Sequence, residues 1–225
     1  MMGKTLRPED YSNLALDLEA RIKEVRVTIC VIGLGYVGLP LALAYARRGF
    51  SVWGLDVDPR KVATLAGGGS YIRDVPVSEI RSEIEAGRFK PTIDSFVLGR
   101  CDAIFICVPT PFSPQKEPDV RHIVEAATEI SRYIKPGQLV VLRSTSYPGT
   151  TEEVVRPILE RTGLGVGKEV FLAFVPERID PGNTRFRLEE VPVVVGGCDP
   201  LSTHLAVRLL QCISPQVVTV SSPSA

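Results

Sequence analysis

Three glycines with a fixed spacing, Gly33-x-Gly35-x-x-Gly38, directly follow an apolar, β-branched run at residues 27–32. A helical pattern begins at the third glycine. In a strand–turn–helix segment of this kind, the first glycine supports a tight turn, the second lets the backbone approach phosphates, and the third lets the helix pack closely. The helix N-terminus adds free N–H groups and a positive dipole end. The spacing therefore predicts a site for the pyrophosphate of a dinucleotide, with a phosphate-free structural turn as the alternative.

An acidic residue, Asp56, ends the next predicted strand, about 20 residues after the glycine turn. Its carboxylate could accept hydrogen bonds from both hydroxyls of an adenosine ribose, and its charge would repel a 2′-phosphate. This position therefore favours NAD over NADP. Lys61 or Arg60 could contact the ribose or a phosphate, which leaves NADP use open. A solvated helix start is the alternative interpretation of both cations.

Two prolines flank Thr110 in the segment Val108-Pro109-Thr110-Pro111, which follows an apolar strand pattern. The prolines fix the backbone, and the threonine presents a hydroxyl and a methyl group. The segment suits the wall of a cofactor site, with a rigid turn as the alternative.

Polar loops follow two more strands, at residues 143–151 and 175–183. The first precedes a helical pattern and is a further candidate for binding an anion or polar ligand. The second places Glu177 next to Arg178 at the end of an apolar strand. A carboxylate there can place a water molecule or take a proton, and an arginine can bind phosphate or carboxylate through two parallel hydrogen bonds. A surface ion pair is the alternative for both residues.

Strand and helix patterns alternate along the chain, and several strands are apolar on both faces. This arrangement predicts an α/β fold with a doubly wound, mainly parallel, Rossmann-like sheet between two layers of helices. In such a sheet ligands bind at the carboxyl ends of the strands. The predicted helices cover residues 11–22, 37–48, 58–65, 77–87, 119–134, 150–161 and 201–213, and the predicted strands cover residues 27–32, 51–56, 103–108, 138–143, 169–175, 192–195 and 216–220.

Three local patterns carry more specific predictions. Thr150-x-x-Glu153 is a capping-box pattern for the helix at residues 150–161, in which Pro157 would cause a kink. The segment Gly67-Gly68-Gly69 predicts a flexible break, and residues 90–97 are weakly extended.

The composition is that of a globular protein without charge bias, since 44% of the 225 residues are hydrophobic and 26 basic residues balance 26 acidic ones. No basic field points to nucleic acid or an anionic membrane, and we find no signal-peptide pattern and no apolar run of about 18 residues. Five scattered cysteines without a CxxC motif indicate buried, reduced thiols, no metal site and a cytoplasmic location. We expect an N-terminal extension with an amphipathic helix at residues 1–25 and one domain at 26–225.

Together these segments resemble the N-terminal NAD-binding domain of the UDP-glucose/GDP-mannose dehydrogenase family over residues 26–225. The resemblance rests on five motifs in the same order: Gly33-x-Gly35-Tyr36-Val37-Gly38-Leu39-Pro40, Asp56, Cys107-Val108-Pro109-Thr110-Pro111, Ser144-Thr145 with Pro148-Gly149-Thr150-Thr151, and Pro176-Glu177-Arg178. Within the family, Tyr71-Ile72 and the loops at 144–151 and 176–183 are most similar to UDP-N-acetyl-D-glucosamine or UDP-N-acetyl-D-mannosamine 6-dehydrogenases. UDP-glucose dehydrogenases usually have Glu-Phe in place of Glu177-Arg178, and UDP-glucose stays open as a substrate.

The resemblance implies an enzyme that oxidises C6 of a nucleotide sugar twice, from alcohol to aldehyde to acid, with two NAD. Thr145 and Glu177 would help to place and activate the water that hydrolyses a covalent thioester. Arg178 and Ile179 would contact the UDP-sugar. The cofactor NAD would be held by the glycine turn and by residues at the strand ends, namely Gly33, Gly35, Tyr36, Val37, Gly38, Asp56, Lys61, Val108, Pro109, Thr110, Ser144 and Thr145.

The chain departs from the family in its cysteines. The family's nucleophile is a cysteine in a glycine-rich segment well downstream, assisted by a Lys and an Asn on a long central helix. None of the five cysteines has that context, and Cys198, the nearest in appearance, starts a helix after a strand. We therefore expect this chain to lack the nucleophile, the central helix of the family's homodimer and the UDP-binding C-terminal domain, and to bind NAD without turnover. A non-catalytic dinucleotide-binding module and the NAD domain of a β-hydroxyacid dehydrogenase are the alternatives.

Overall fold

Helices and strands alternate through the computed structural model, which describes residues 12–111, 118–177 and 192–224. The strands are β1 (Thr28–Ile32), β2 (Ser51–Leu55), β3 (Phe89–Thr92), β4 (Ala103–Ile106), β5 (Leu139–Leu142), β6 (Phe171–Phe174), β7 (Val193–Gly197) and β8 (Val217–Thr219). The helices are α1 (Asn13–Lys23), α2 (Gly38–Arg47), α3 (Pro59–Ala66), α4 (Val77–Glu85), α5 (Arg121–Tyr133), α6 (Arg156–Glu160) and α7 (Pro200–Leu210), with a 3₁₀ helix at Ser95–Arg100 and a π-helical turn at Thr150–Val155.

The described strands form one sheet in the order β3-β2-β1-β4-β5-β6-β7-β8. Neighbouring strands are parallel except β6 and β7, which are antiparallel. The order of the first six strands is that of the doubly wound dinucleotide-binding fold. The predicted α/β class and mainly parallel sheet are therefore confirmed. Among the described residues, no helix has both the length and the apolar composition needed to cross a membrane.

Alternate residues of the central strands face two separate hydrophobic cores. Val31 and Val141 pack with α2 and α7 on one face, whereas Cys30 and Val140 pack with α5 and α6 on the other. The crossover after β1 therefore lies on one face and the crossover after β4 on the other. At this change of face, the carboxyl ends of two neighbouring strands leave a crevice, which is where ligands bind in such sheets.

The N-terminal amphipathic helix is present as α1, and its buried residues Ala15, Leu18 and Ile22 belong to the same core as α2 and α7. Arg21 donates a hydrogen bond of 2.9 Å to Asp102, whose other carboxylate oxygen accepts a bond from the backbone N–H of Thr28. The helix is thus tied to the starts of β1 and β4, at the edge opposite the crevice. The division of the chain between residues 25 and 26 stays a prediction.

The helix predicted at residues 150–161 is present over residues 150–160, but the predicted cap is wrong and the helix is not α-helical throughout. Residues 150–155 form a π-helical turn, and only the five residues of α6 are α-helical. Thr150 does not cap the helix, because its hydroxyl donates to the carbonyl oxygen of Tyr147 at 2.7 Å and Gly149 begins the element with a φ of 95°. Pro157, which has no N–H, lies in the first turn of α6, so the hydrogen-bond pattern changes next to the predicted kink.

Two further local predictions need correction. The extended segment predicted at residues 90–97 is a strand only as far as Thr92 and continues as the 3₁₀ helix. The predicted flexible break at residues 67–69 is an ordered turn, in which all three glycine N–H groups donate to carbonyl oxygens in the last turn of α3 at 2.8–3.0 Å. These main-chain bonds depend on backbone geometry, which composition alone does not reveal.

Candidate functional site

The loops selected from the sequence meet at the carboxyl edge of the sheet. Backbone bonds join the strand ends there: the N–H of Gly33 donates to Leu55, and the N–H of Cys107 donates to Ile32, each at 2.8 Å. The N–H of Ser144 donates to Ile106 at 3.1 Å. The loops after β1, β2, β4 and β5 therefore lie side by side at this edge of the sheet.

The glycine turn has the shape that the spacing predicts. Gly33 has a φ of +89°, and a Cβ there would lie 2.6 Å from the carbonyl oxygen of Cys107. A Cβ at Gly38 would lie 1.8 Å from the carbonyl oxygen of Gly33, so the helix could not start so close to the turn with any other residue. A Cβ at Gly35 would meet no atom of the described residues within 4 Å. Gly35 is thus the open point of the turn.

The N-terminus of α2 follows this open point by three residues. Val37 occupies the N-cap position, and no side chain of the described residues caps the helix. Tyr36, which precedes it, is 57% exposed. A helix start without a side-chain cap, at the positive end of the helix dipole, is a fitting site for an anion such as a pyrophosphate.

Asp56 is buried and already holds the glycine turn in place. Its Oδ2 accepts a hydrogen bond of 2.8 Å from the N–H of Leu34, and its Oδ1 accepts one of 3.0 Å from the N–H of Asp58. Lys61 approaches Oδ2 at 3.3 Å. The carboxylate therefore fixes the backbone of the site, a role that the sequence analysis missed. Its contact with a ribose stays a prediction, and Lys61 is the donor that a ribose hydroxyl would most easily replace.

The loop after β4 lies beside the glycine turn. Pro109 is exposed, and Val108 and Thr110 are half-buried. The buried hydroxyl of Ser144 donates to the carbonyl oxygen of Val108 at 2.7 Å, so it joins the two loops, whereas Thr145 is exposed. Of the Ser144-Thr145 pair, only the threonine side chain is open to a ligand in this arrangement.

Glu177, at the end of the β6 segment, is bound by a residue for which we predicted no role. The Nη2 of Arg143 donates to the Oε2 of Glu177 at 2.6 Å, and the two side chains are only 2% and 12% exposed. Among the described residues, the Nε and Nη1 of Arg143 have no hydrogen-bond partner. The arginine directly ends a buried strand, and that position was the one signal in the sequence that could have revealed it.

The charges of this pair act on the buried thiol of Cys107. Burial raises the pKa of Cys107 to about 12, Arg143 opposes this rise, and Glu177 adds to it. The thiol is therefore neutral at physiological pH. Arg178 and Ile179, predicted to contact the substrate, lie outside the described residues. Within the described ranges, no group of three His, Cys, Asp or Glu side chains is placed to hold a metal ion.

All five cysteines are free, and the predicted buried state applies to Cys30, Cys101 and Cys107, whereas Cys198 and Cys212 are half-buried. Of the five cysteines, Cys198 has the sequence context most similar to that of the family's nucleophilic cysteine. Burial, together with the negative charge of Glu152, raises its pKa to about 12, although Arg156 opposes the rise. The thiolate, which is the reactive form, is therefore scarce at neutral pH.

We expect Cys198 in the folded chain to react with an aromatic disulfide reagent at about pH 8 at least about tenfold more slowly than in the unfolded chain. Mass spectrometry of the labelled peptides measures the rate, and Cys198→Ser identifies the signal. Equal rates in the folded and unfolded chains would show that the thiol is activated.

Known proteins share the sequence of this chain over most of its length. Residues 27–213 match the family described as the UDP-glucose/GDP-mannose dehydrogenase family, NAD binding domain. The chain belongs to this family. NAD is therefore the cofactor of this domain, and the open glycine turn with its uncapped helix is a fitting place for the NAD pyrophosphate.

The names of the relatives indicate a class of substrate, and their lengths differ from that of this chain. The chain is 33% identical over 198 residues to UDP-N-acetyl-D-glucosamine 6-dehydrogenase of Pseudomonas aeruginosa, covering 88% of this chain and 45% of that protein. It is 35% identical over 190 residues to UDP-N-acetyl-D-mannosamine dehydrogenase of Escherichia coli K12, covering 81% and 44%. The structure of an NDP-N-acetyl-D-galactosaminuronic acid dehydrogenase from Methanosarcina mazei Go1 superposes with a TM-score of 0.82 at 33% identity, covering 92% and 47%. The chain thus spans about half the length of these relatives.

Proposed function

We propose that this chain is the NAD-binding half of a nucleotide-sugar 6-dehydrogenase, which oxidises C6 of a UDP-N-acetylhexosamine to the uronic acid in two NAD-dependent steps. The observation that carries the proposal is the family match across residues 27–213. UDP-N-acetylglucosamine and UDP-N-acetylmannosamine are favoured over UDP-glucose, because the two relatives described above are named for these sugars.

The residues of the glycine turn would bind and orient the cofactor. The start of α2 would bind the pyrophosphate, and Asp56 would accept a hydrogen bond from a ribose hydroxyl in place of its contact with Lys61. Val108, Pro109 and Thr110 form the adjoining wall. When bound, NAD accepts the hydride that leaves C6 of the sugar.

Thr145 and Glu177 would act on water. They follow the neighbouring strands β5 and β6, and Arg143 holds the carboxylate of Glu177. A carboxylate fixed in this way can take a proton from a water molecule that attacks an acyl intermediate, while the threonine hydroxyl orients that water. Arg178 and Ile179 would contact the nucleotide sugar.

The remainder of the active site would come from polypeptide beyond the matched region. The relatives are about twice as long as this chain, and a nucleophilic cysteine and most UDP contacts would lie in that additional part. We place the protein in the cytoplasm because of its scattered cysteines, and we expect a homodimer from the family resemblance.

Two assays on the 225-residue chain test the proposal. Calorimetric titration is expected to show NAD binding, with weaker binding of NADP because Asp56 repels its 2′-phosphate. With UDP-N-acetylglucosamine or UDP-N-acetylmannosamine present, the near-ultraviolet absorbance of NADH should stay flat. The absence of NAD binding at millimolar concentrations would overturn the cofactor site, and sustained NADH formation would overturn the claim that this half lacks the complete chemistry.

The substrate is tested on a protein that contains this domain together with the additional half found in the relatives. Two NADH are expected for each UDP-N-acetylhexosamine consumed, and slower turnover with UDP-glucose. NAD binding without turnover of any of these sugars would instead favour a non-catalytic NAD-binding module.

A further inference from the structure

Leu34, the residue between the first two glycines of the turn, is held at three points. Its N–H donates to Asp56 at 2.8 Å, and its carbonyl oxygen accepts a hydrogen bond of 2.6 Å from the hydroxyl of Tyr71. Its side chain is fully buried and fills the space that Gly54 leaves, since a Cβ at Gly54 would lie 2.9 Å from a methyl group of Leu34. Both polar groups of this residue are therefore fixed by side chains from elsewhere in the chain.

Tyr71 reaches the turn from the loop between α3 and α4. Gly68 in this loop has a φ of +71°, and the hydrogen-bonded glycines at residues 67–69 redirect the chain after α3. Ile72 and Val75 are 4% and 6% exposed and anchor the loop in the core. The loop therefore presents the tyrosine from a packed base.

The hydroxyl of Tyr71 stays protonated and can therefore donate a hydrogen bond. Burial raises its pKa well above the ordinary value, and the negative charges of Asp56 and Asp58 raise it further. The Nζ of Lys61 lies 5.9 Å from the centre of the tyrosine ring. Because the phenol stays protonated at physiological pH, it donates to Leu34 throughout that range.

The peptide bond carries this constraint to the next residue. The carbonyl of Leu34 and the N–H of Gly35 belong to one planar, trans peptide unit and point in opposite directions. Holding the carbonyl oxygen therefore directs the N–H of Gly35 away from Tyr71 and from the core against which the tyrosine packs. Gly35 is the open point of the turn, where its N–H would meet a phosphate oxygen.

We propose that Tyr71 is a positioning residue for the cofactor, fixing the peptide between Leu34 and Gly35 so that the turn is preorganised for the NAD pyrophosphate. NAD binding by the glycine turn is a property of the family, whereas this assignment to Tyr71 rests on the contacts of this chain. The inference depends on the cofactor site proposed above.

Tyr71→Phe tests the proposal, because it keeps the ring, its packing and the nearby lysine and removes only the hydroxyl. The affinity for NAD and for ADP is expected to fall about fivefold, the equivalent of one neutral hydrogen bond. The affinity for adenosine, which has no pyrophosphate, should not change. In amide spectra the N–H resonance of Gly35 should shift in the variant without ligand. Tyr133→Phe, in α5 on the opposite face of the sheet, is the matched control and should bind all three ligands as the unaltered chain does.

The possible outcomes separate this inference from the site it depends on. Unchanged NAD affinity in Tyr71→Phe, or an equal loss for NAD and adenosine, would overturn the role of Tyr71, since the second result would mean general loosening. Failure of the unaltered chain to bind NAD would overturn the cofactor site itself and the inference with it. A selective loss for NAD and ADP, with a shifted Gly35 resonance, supports the proposal.

Discussion

Asp56→Asn is expected to lower the affinity for NAD about thirtyfold and to lower the free energy of unfolding by about 2 kcal/mol. The carboxylate accepts one backbone N–H on each oxygen, from Leu34 on Oδ2 and from Asp58 on Oδ1. An asparagine offers one oxygen only, so in either orientation its NH₂ group would face a backbone donor. One buried N–H would lose its partner, and the turn that it fixes would shift. The ribose would also lose its charged acceptor.

The matched control for this prediction is Asp58→Asn. Asp58 caps α3 by accepting the N–H of Arg60, and asparagine caps a helix about as well as aspartate. The free energy of unfolding of Asp58→Asn should therefore change by less than about 0.5 kcal/mol, and its affinity for NAD should change little. Calorimetry and urea denaturation measure both quantities. Equal behaviour of the two variants would show that the two-oxygen contact of Asp56 has no energetic importance.

Glu177→Leu is expected to lower the free energy of unfolding by about 3 kcal/mol, because it leaves a buried positive charge without its partner. Arg143 is 2% exposed, and among the described residues Glu177 is the acidic group that it contacts. Arg143→Met should lower the free energy of unfolding by less, since Glu177 is the more exposed member of the pair. The double variant Arg143→Met/Glu177→Leu should be more stable than Glu177→Leu alone.

Urea denaturation of the four proteins gives the coupling between the two side chains. A double variant whose loss equals the sum of the single losses would show that the pair contributes no coupling free energy. Full stability of Glu177→Leu would show that the arginine is neutralised in another way. Either result would remove the argument that Arg143 holds Glu177 in place for catalysis.

The glycine turn and the parallel sheet could be predicted from the sequence because their signals are local. Gly33 and Gly38 occupy positions where a Cβ would collide with the backbone, and the apolar strands are read from adjacent residues. The family motifs then give the order of the loops along the crevice. Local patterns of this kind indicate which loops form the site and on which edge of the sheet they lie.

The contacts that shape the site could not be predicted in the same way. Asp56 and Leu34 are 22 residues apart, Arg143 and Glu177 are 34 apart, and Tyr71 and Leu34 are 37 apart. Each contact depends on how separate elements pack, and periodicity does not set the distances between such elements. The π-helical turn at residues 150–155 escaped prediction for a related reason, since Thr150 satisfies a neighbouring carbonyl instead of the helix end.

Amide spectra of the ¹⁵N-labelled chain during an NAD titration show whether the turn at residues 33–38 holds the pyrophosphate of NAD. We expect saturable shifts that are largest at the amides of Gly35, Tyr36 and Val37, with further shifts beside Asp56 and at Thr110. Saturable binding that leaves the amides of the turn unmoved, or no binding at all, would contradict this expectation.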